Sequence, residues 1–262
     1  MKKTTRFLSI VLVFVMAALA CCSCGKVTPE EKMMTAIENA QAAKKGDVTV
    51  KIGSNMVVGE VSMDIPMEII MQYDFTDDTN PLLAMDMSFT MEGKGVSIKT
   101  YYKDGYRYLS TFAGNTKSPM QADEMRNEST AGKILDLAKV AADKAEITEN
   151  DDGSLSVTMN VDGEQHSEAI LATFDATIED LLEGTDIKAY DSVINMEIDK
   201  DGKITKTKIS FDISMVTEEG NVYLDYIIEI DYKTIADDFT VVFPDDLDTY
   251  VISQTTPLDS VA

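Results

Sequence analysis

Apolar and polar side chains alternate with a period of two in seven segments of this chain, and no other feature limits its fold as strongly. The longest alternating run covers residues 61–75, and shorter runs cover 48–52, 83–91, 96–102, 194–198, 209–215 and 222–232. A period of two is the spacing of a β-strand that buries one face and exposes the other to water. The sequence therefore predicts long antiparallel strands in two meanders.

Three other segments repeat their apolar residues with the helical period of 3.6. The first, residues 29–45, begins at Thr28-Pro29-Glu30-Glu31, which is a capping box with proline in the first turn. The second and third segments cover residues 131–145 and 167–183, with a short strand between them. This order of elements predicts an α+β fold in which a large curved antiparallel sheet is covered by a few helices.

The register of one predicted hairpin depends on the length of its loop. A two-residue loop at Asp104-Gly105 would place Tyr102 opposite Arg107. A three-residue loop that also includes Lys103 places Tyr102 opposite Tyr106, with Tyr108 on the same side of the sheet. The hydrophobic pattern favours the three-residue loop.

Turn residues also define the second meander and the end of the chain. A two-residue loop at Asp201-Gly202 pairs Ile194 with Ile209. A last strand is expected over residues 239–243, where it ends before a proline. The residues beyond 250 are expected to form a loose tail.

The N-terminal residues are typical of a bacterial lipoprotein signal peptide. Three cations precede an apolar run over residues 10–20, which is shorter than the ~20 residues of a membrane span. Lipoprotein signal peptidase cuts before an acylated cysteine that follows small residues. Cys21 follows Ala18-Leu19-Ala20 and is the expected lipidation site, and Cys24, which follows Ser23, is the second choice.

This boundary predicts both the domain division and the location of the protein. Residues 1–20 are the signal peptide, 21–28 a lipidated tether, 29–250 the folded domain and 251–262 the tail. The expected location is the outer face of the bacterial cytoplasmic membrane, with the membrane contacted through the lipid anchor. Because all three cysteines lie at the boundary, no disulfide and no cysteine metal site is expected in the domain.

The charge of the chain excludes one class of partner. The chain carries 23 basic and 46 acidic residues, for a net charge of −23. Nucleic acid is excluded as a partner, because its binding needs patches of Lys and Arg. An anionic membrane surface also repels such a domain over about one Debye length, ~8 Å at physiological salt. The anchor is therefore expected to hold a domain that stands away from the headgroups.

No set of residues in the sequence predicts catalysis. The single histidine, His166, has no second histidine or cysteine for a metal site, and no glycine pattern presents a nucleophilic serine. The run Asp199-Lys200-Asp201-Gly202 lacks the remaining ligands of a calcium loop and is better explained as a β-turn. The sequence predicts a protein that is not an enzyme, without metal or cofactor.

Methionine is concentrated in the first meander, which holds seven of the 16 methionines of the chain. Because thioether side chains are flexible, they suit surfaces that accept variable apolar partners. Two interpretations remain open, namely the wall of an adaptable cavity and ordinary core filling. The candidate cavity-lining residues are Met63, Met67, Met71, Met85, Met87, Met91, Phe89 and Tyr102.

A group of tyrosines on the predicted 103–105 hairpin also has two interpretations. Tyr101, Tyr102, Tyr106 and Tyr108 could form an aromatic platform for a sugar or a partner. Alternatively, the rings pair across the strands and stabilise the hairpin by ~0.2–1 kcal/mol per pair without any ligand.

The element order behind a lipoprotein signal resembles the LolA/LppX-like superfamily. Met-rich alternating strands such as Met85-Asp86-Met87, and the closing Phe243-Pro244-Asp245-Asp246, are similar to those of LolA-like lipoproteins of Gram-positive gut bacteria. The resemblance covers residues 29–250. It implies a half-open β-barrel whose apolar face is covered by helices, with lipid acyl chains held between them.

Two functions follow as hypotheses. The first is a non-enzymatic lipoprotein that binds or carries a lipid or other amphiphile in an apolar cavity. The second is a cell-surface scaffolding or recognition module for a protein or glycan, without lipid cargo. An envelope hydrolase ranks last, since no catalytic set is present.

Overall fold

The structure is a computed structural model that describes residues 27–59, 61–91, 94–121, 130–171, 173, 186–217, 220–236 and 238–253. The predicted signal peptide, Cys21 and Cys24 lie outside the described residues. Most of the predicted helix at 167–183 and the chain after residue 253 lie outside them as well.

The described strands form one large, open, curved sheet, which confirms the predicted fold class. The strands are β1 (Lys45–Val58), β2 (Val61–Asp64), β3 (Met67–Asp74), β4 (Leu82–Met91), β5 (Lys94–Lys103), β6 (Tyr106–Thr111), β7 (Gly114–Pro119), β8 (Glu146–Glu149), β9 (Leu155–Val161), β10 (Asp186–Ala189), β11 (Ser192–Ile198), β12 (Ile204–Thr217), β13 (Gly220–Tyr232) and β14 (Val251–Ile252). Twelve of them follow one another in the order β14-β7-β6-β5-β4-β3-β1-β13-β12-β11-β9-β8, with β2 beside β1 and β10 beside β12. The sheet is mixed rather than purely antiparallel, because β14 runs parallel to β7.

Three α-helices accompany the sheet in the described part of the chain: α1 (Pro29–Gln41), α2 (Thr130–Ala141) and α3 (Ser167–Leu171). Single 3₁₀ turns cover Ala142–Lys144 and Leu247–Thr249. The capping box of α1 is present: the Thr28 hydroxyl accepts from the Glu31 amide at 3.2 Å, and the Glu31 carboxylate accepts from the Thr28 amide at 3.0 Å. Helix α1 ends at Gln41, four residues earlier than predicted, because Lys45 already belongs to β1.

The core lies between α1, α2 and the half of the sheet that contains β9, β11, β12 and β13. We call the sheet face on which these helices pack the inner face, and the opposite one the outer face. The pairs Val50–Ile230 and Ile194–Ile209 place apolar side chains from neighbouring strands side by side on the inner face. Ile194, Ile209 and Ile230 are each 0% exposed. Burial of such a side chain stabilises the fold by ~1.5–3 kcal/mol.

The predicted three-residue loop at 103–105 is wrong. The structure has a two-residue loop, with Lys103 opposite Tyr106 and Tyr102 opposite Arg107. Asp104 (φ 54°) and Gly105 (φ 76°) both have positive φ, as in the type I′ turn that matches the twist of a hairpin. The prediction failed because it placed Tyr102, Tyr106 and Tyr108 on the same face of the sheet.

Tyr108 is buried on the outer face instead. Residues 238–250, which we call the C-terminal strap, cross that face after β13. The Val242 amide donates to the Gln72 side chain at 3.2 Å, and Phe243 packs edge-to-face on Tyr101 with 6.3 Å between ring centroids. Leu247 and Tyr250 then cluster with Tyr108.

Two predictions about this end of the chain are corrected by the strap. Residues 239–243 do not form a strand, since they run across the strands of the sheet rather than beside them. Val251 and Ile252, assigned to a loose tail, form β14 and pair with Thr116 and Lys117 of β7. The remaining domain division stays a prediction.

The turn at Asp201-Gly202 has a different length from the predicted one, although the pairing of the strands on either side of it is as predicted. Ile194 does lie opposite Ile209, as expected. The turn itself is longer, since the Asp199 amide donates to the Lys203 carbonyl at 2.8 Å. A register shift between Glu197 and Ile198 restores the pairing, so the hydrophobic faces fix the register while the turn adapts.

The hairpin register can be tested by a double-mutant cycle between Tyr108 and Tyr250. Their rings meet edge-to-face at 5.7 Å, so we expect a coupling of about 0.5–1.5 kcal/mol in the free energy of unfolding by urea. The control cycle pairs Tyr102→Ala with Tyr250→Ala and should give a coupling near zero, because Tyr102 faces the other side. Equal coupling in both cycles would contradict this register.

Candidate functional site

The inner face of the first meander carries a contiguous apolar surface. Its side chains line up across the strands in rows, such as Ile69–Met87–Ile98 and Met67–Phe89–Val96. Residues directly opposite one another in antiparallel strands share a face and touch. We call this surface the apolar floor, and it consists of Met67, Ile69, Met71, Met85, Met87, Phe89, Val96 and Ile98.

The floor is less buried than the rest of the inner face. All eight of its side chains are half-buried. In contrast, Met159 and Met196, on the other half of the same sheet, are 0% and 1% exposed. The difference follows from the helices: α1 packs on β8 and β12, and α2 on β9. Methionine is thus core filling on one half of the sheet and a partly open surface on the other.

The structure brings most of the predicted cavity-lining residues together. Met67, Met71, Met85, Met87 and Phe89 belong to the floor. Met63, which is 46% exposed, lies on the same face near its open end, opposite Met56. The backbone of Met91 pairs with Lys94, and its side chain lies outside the description.

Tyr102 has a different role from the methionines. It is 2% exposed, and its hydroxyl donates to the Met120 carbonyl at 3.0 Å. With Leu83 it forms a small buried cluster against which Met71, Tyr73 and Phe75 pack. Tyr102 therefore closes one end of the floor instead of lining its open part.

Sequence reasoning missed Met56 as a member of this face. The candidate cavity-lining methionines are all odd-numbered, and Met56, the even-numbered methionine of this meander, is not among them. In β1, however, the even-numbered residues face inward from Val48 to Val58, as the pairing of Val50 with Ile69 and of Met56 with Met63 demonstrates. The alternation that begins at Val48 would have revealed this if it had been extended through Ser54.

A cavity of about 410 Å³ lies where the end of α1 meets the end of the sheet. Ala36, Ala40 and Gly46 leave this space open, and the rings of Tyr73 and Tyr232 border it. A Cβ at Gly46 would overlap the Tyr73 ring, so only glycine allows the ring to lie there.

The Tyr232 hydroxyl at this cavity is uncharged. Burial raises the pKa of Tyr232 to about 12, which keeps this hydroxyl neutral in the physiological range. Because Tyr73 also contacts Tyr102's cluster, the cavity adjoins the closed end of the floor.

The tyrosines of the hairpin support the packing interpretation over the platform interpretation. The ring of Tyr101 packs against Phe243 of the strap, and the ring of Tyr108 packs against Tyr250. Of the four tyrosines of the hairpin, only Tyr106 is exposed. The rings therefore hold the strap on the outer face.

The acidic turns and the helices offer little further chemistry. The Asp199 carboxylate accepts from the Asp201 and Lys203 amides at 2.9 and 2.8 Å, as a β-turn requires. Among the described residues, no group of three or more His, Cys, Asp or Glu side chains is arranged to hold a metal ion. No helix in the described part of the chain is long and apolar enough to cross a membrane.

No protein-family model and no curated protein matches the sequence. Among solved structures, LprF from Mycobacterium bovis is similar over 82% of this chain and 96% of its own, with 13% identity and a TM-score of 0.41. The Mycobacterium tuberculosis lipoprotein LppX matches 82% of this chain and 98% of its own, with 10% identity and a TM-score of 0.36. A LolA superfamily protein from Nitrosomonas europaea matches 80% of this chain and 97% of its own, with 10% identity and a TM-score of 0.26.

These neighbours include proteins of the groups that the element order resembles. At these identities and TM-scores, the likeness assigns no residue of this chain a role. The ligand of this chain is therefore argued from its own side chains.

Two substitutions distinguish the floor from the core. Ile194→Ala should destabilise the protein by about 2–5 kcal/mol, because it leaves a cavity in a fully buried site. Met87→Ala should lower the free energy of unfolding by about 1 kcal/mol or less, because the half-buried side chain of Met87 makes fewer packing contacts. Urea unfolding followed by circular dichroism measures both values. Equal losses would mean that Met87 is an ordinary core residue.

Proposed function

We propose that this chain is a non-enzymatic lipoprotein, anchored outside the cytoplasmic membrane, that binds or carries a lipid or other amphiphile on its apolar floor. One observation carries the proposal: a contiguous apolar face of eight side chains remains half-buried beside a fully packed core. Soluble proteins rarely leave such a face open unless it binds something. The carboxylates of β1–β7 all lie on the outer face, so the floor itself suits hydrocarbon.

The physical basis of binding is removal of acyl chain from water. Each buried methylene contributes about 0.8 kcal/mol, whereas association costs roughly 4–15 kcal/mol in lost freedom and ordering. Burial of about 5 to 19 methylenes is therefore needed to offset this cost, which is the length range of common acyl chains. The flexible thioethers of Met67, Met71, Met85 and Met87 adjust to chains of different shape, which suits a carrier.

Chain 29–262, purified without its anchor, is expected to retain lipid. Extraction with organic solvent followed by mass spectrometry should detect lipid close to one molecule per chain, and the emptied protein should take up a fluorescent fatty acid. A clean extract with no uptake would support the scaffolding hypothesis instead.

Matched variants refine this experiment. Met87→Gln places an amide on the floor and should weaken fatty-acid uptake about fivefold, because a polar group there must lose its water. Ser88→Gln is the control, since Ser88 is exposed on the outer face, opposite Glu68. Equal effects of the two variants would contradict binding on the floor.

The anchor is tested separately from the floor. Cys21→Ser should abolish incorporation of radiolabelled palmitate and release the protein from the membrane fraction, because the diacylglycerol is attached to that sulfur. Cys24→Ser should leave both unchanged. Loss of labelling in the Cys24 variant alone would assign the anchor to Cys24.

A further inference from the structure

The cations of β1–β7 divide into two groups according to the face on which they lie. Those on the outer face have partners: Lys45 pairs with Asp74 at 2.9 Å, and Lys99 pairs with Asp86 at 3.1 Å. The remaining outer cations, Lys51, Lys103 and Lys117, contact Asp231, the Phe243 ring, and the Tyr106 and Tyr108 rings respectively.

Two cations instead lie on the inner face with the floor. Lys94 is at one end of β5, and Arg107 is opposite Tyr102 near the other end. Among the described residues, neither forms an ion pair. Every carboxylate of β1–β7 faces the other way, so the charged side chains on the inner face of these strands are all cations, in a chain whose net charge is −23.

The surroundings of the two cations differ. Lys94 is followed on the inner face by Val96 of the floor. Arg107 lies opposite Ser118, and the next pairs along these strands are Thr100–Leu109 and Leu109–Thr116. The inner face thus changes from apolar to hydroxyl-bearing toward Arg107. We call this group the polar corner, and it consists of Thr100, Arg107, Thr116 and Ser118.

The polar corner has the chemistry of an anion site. A guanidinium binds a carboxylate or phosphate through two parallel hydrogen bonds, which a lysine ammonium does not reproduce. Among the described residues, the hydroxyls of Thr100, Thr116 and Ser118 have no hydrogen-bond partner and can donate to the same anion. The corner is continuous with the floor, because Thr100 lies directly opposite Met85.

We infer that the amphiphile bound on the floor is anionic, with the oxygens of its carboxylate or phosphate headgroup held at the polar corner by Arg107. The acyl chain then lies across the neighbouring strands on Met85 and Met71. This inference rests on the proposed function, since it assigns the headgroup of a ligand whose chain the floor binds.

The test uses the full chain in the membranes of cells that express it. Two probes with the same photoactivatable sixteen-carbon chain are compared, one ending in a carboxylate and the other in a neutral alcohol. After irradiation, labelled peptides are quantified by mass spectrometry. Labelling within β3 and β4 by either probe supports the floor as the binding site, and absence of such labelling with both probes would refute the proposed function itself.

The headgroup assignment predicts a difference between the probes. The carboxylate should label the floor about tenfold more than the alcohol, since hydrogen bonds to a charged group contribute on this order. Arg107→Gln should remove that preference while labelling by the alcohol persists, and Arg107→Lys should restore part of it. Lys51→Gln changes the net charge equally but lies on the outer face, so it should preserve the preference. Equal labelling by both probes, or equal loss in Arg107→Gln and Lys51→Gln, would overturn the assignment.

Two further arms separate the alternatives. Lys94→Gln should keep the preference for the carboxylate, and loss of the preference there would assign the headgroup to the other end of the floor. Inorganic phosphate should not reduce labelling by the carboxylate probe, because it lacks the acyl chain. If phosphate abolished the preference, the polar corner would be a site for the free anion and the inference would fail.

Discussion

The pairing of β1 with β13 is the contact on which the rest of the structure depends. These strands come from opposite ends of the domain, and they pair residue by residue from Val48–Tyr232 to Val58–Val222. Because β1 also pairs with β3, it joins the two meanders into a single sheet. Without this ladder each meander would present its own apolar face to water. With it, one continuous inner face is formed, and the helices have to cover it.

That face is wider than the described helices can cover. Neighbouring strands lie about 4.8 Å apart, so the twelve consecutive strands extend over roughly 50 Å, whereas the three described helices, each about 10 Å wide, cover at most about six strands. Helices α1 and α2 pack on the half that holds Ile194 and Ile209, and this half forms the core. The floor lies on the other half and stays half-buried. The partly open face is therefore a consequence of sheet width.

The sequence alone could predict which side chains share a face of the sheet, but not which distant segments of the chain pack on that face. The period of two places Met67, Met71, Met85 and Met87 on one side, and the structure agrees, because pleating leaves no other arrangement. The 103–105 hairpin escaped prediction because Tyr108 packs on Tyr250, more than a hundred residues away. The two-residue loop turns Tyr108 outward toward the strap and Arg107 inward toward the floor. Because the sequence predicts the other loop, it predicts neither position.

Methionine suits the floor of the proposed carrier, which has to be stable both empty and occupied. A surface of large branched or aromatic side chains has few alternative packings, whereas an unbranched thioether has three rotatable bonds and can pack in several ways. The same floor can therefore fit acyl chains of different shape. The net charge of −23 adds electrostatic repulsion between copies of the chain. The acidic net charge and the flexible side chains thus both oppose the association of an exposed apolar face with a second copy.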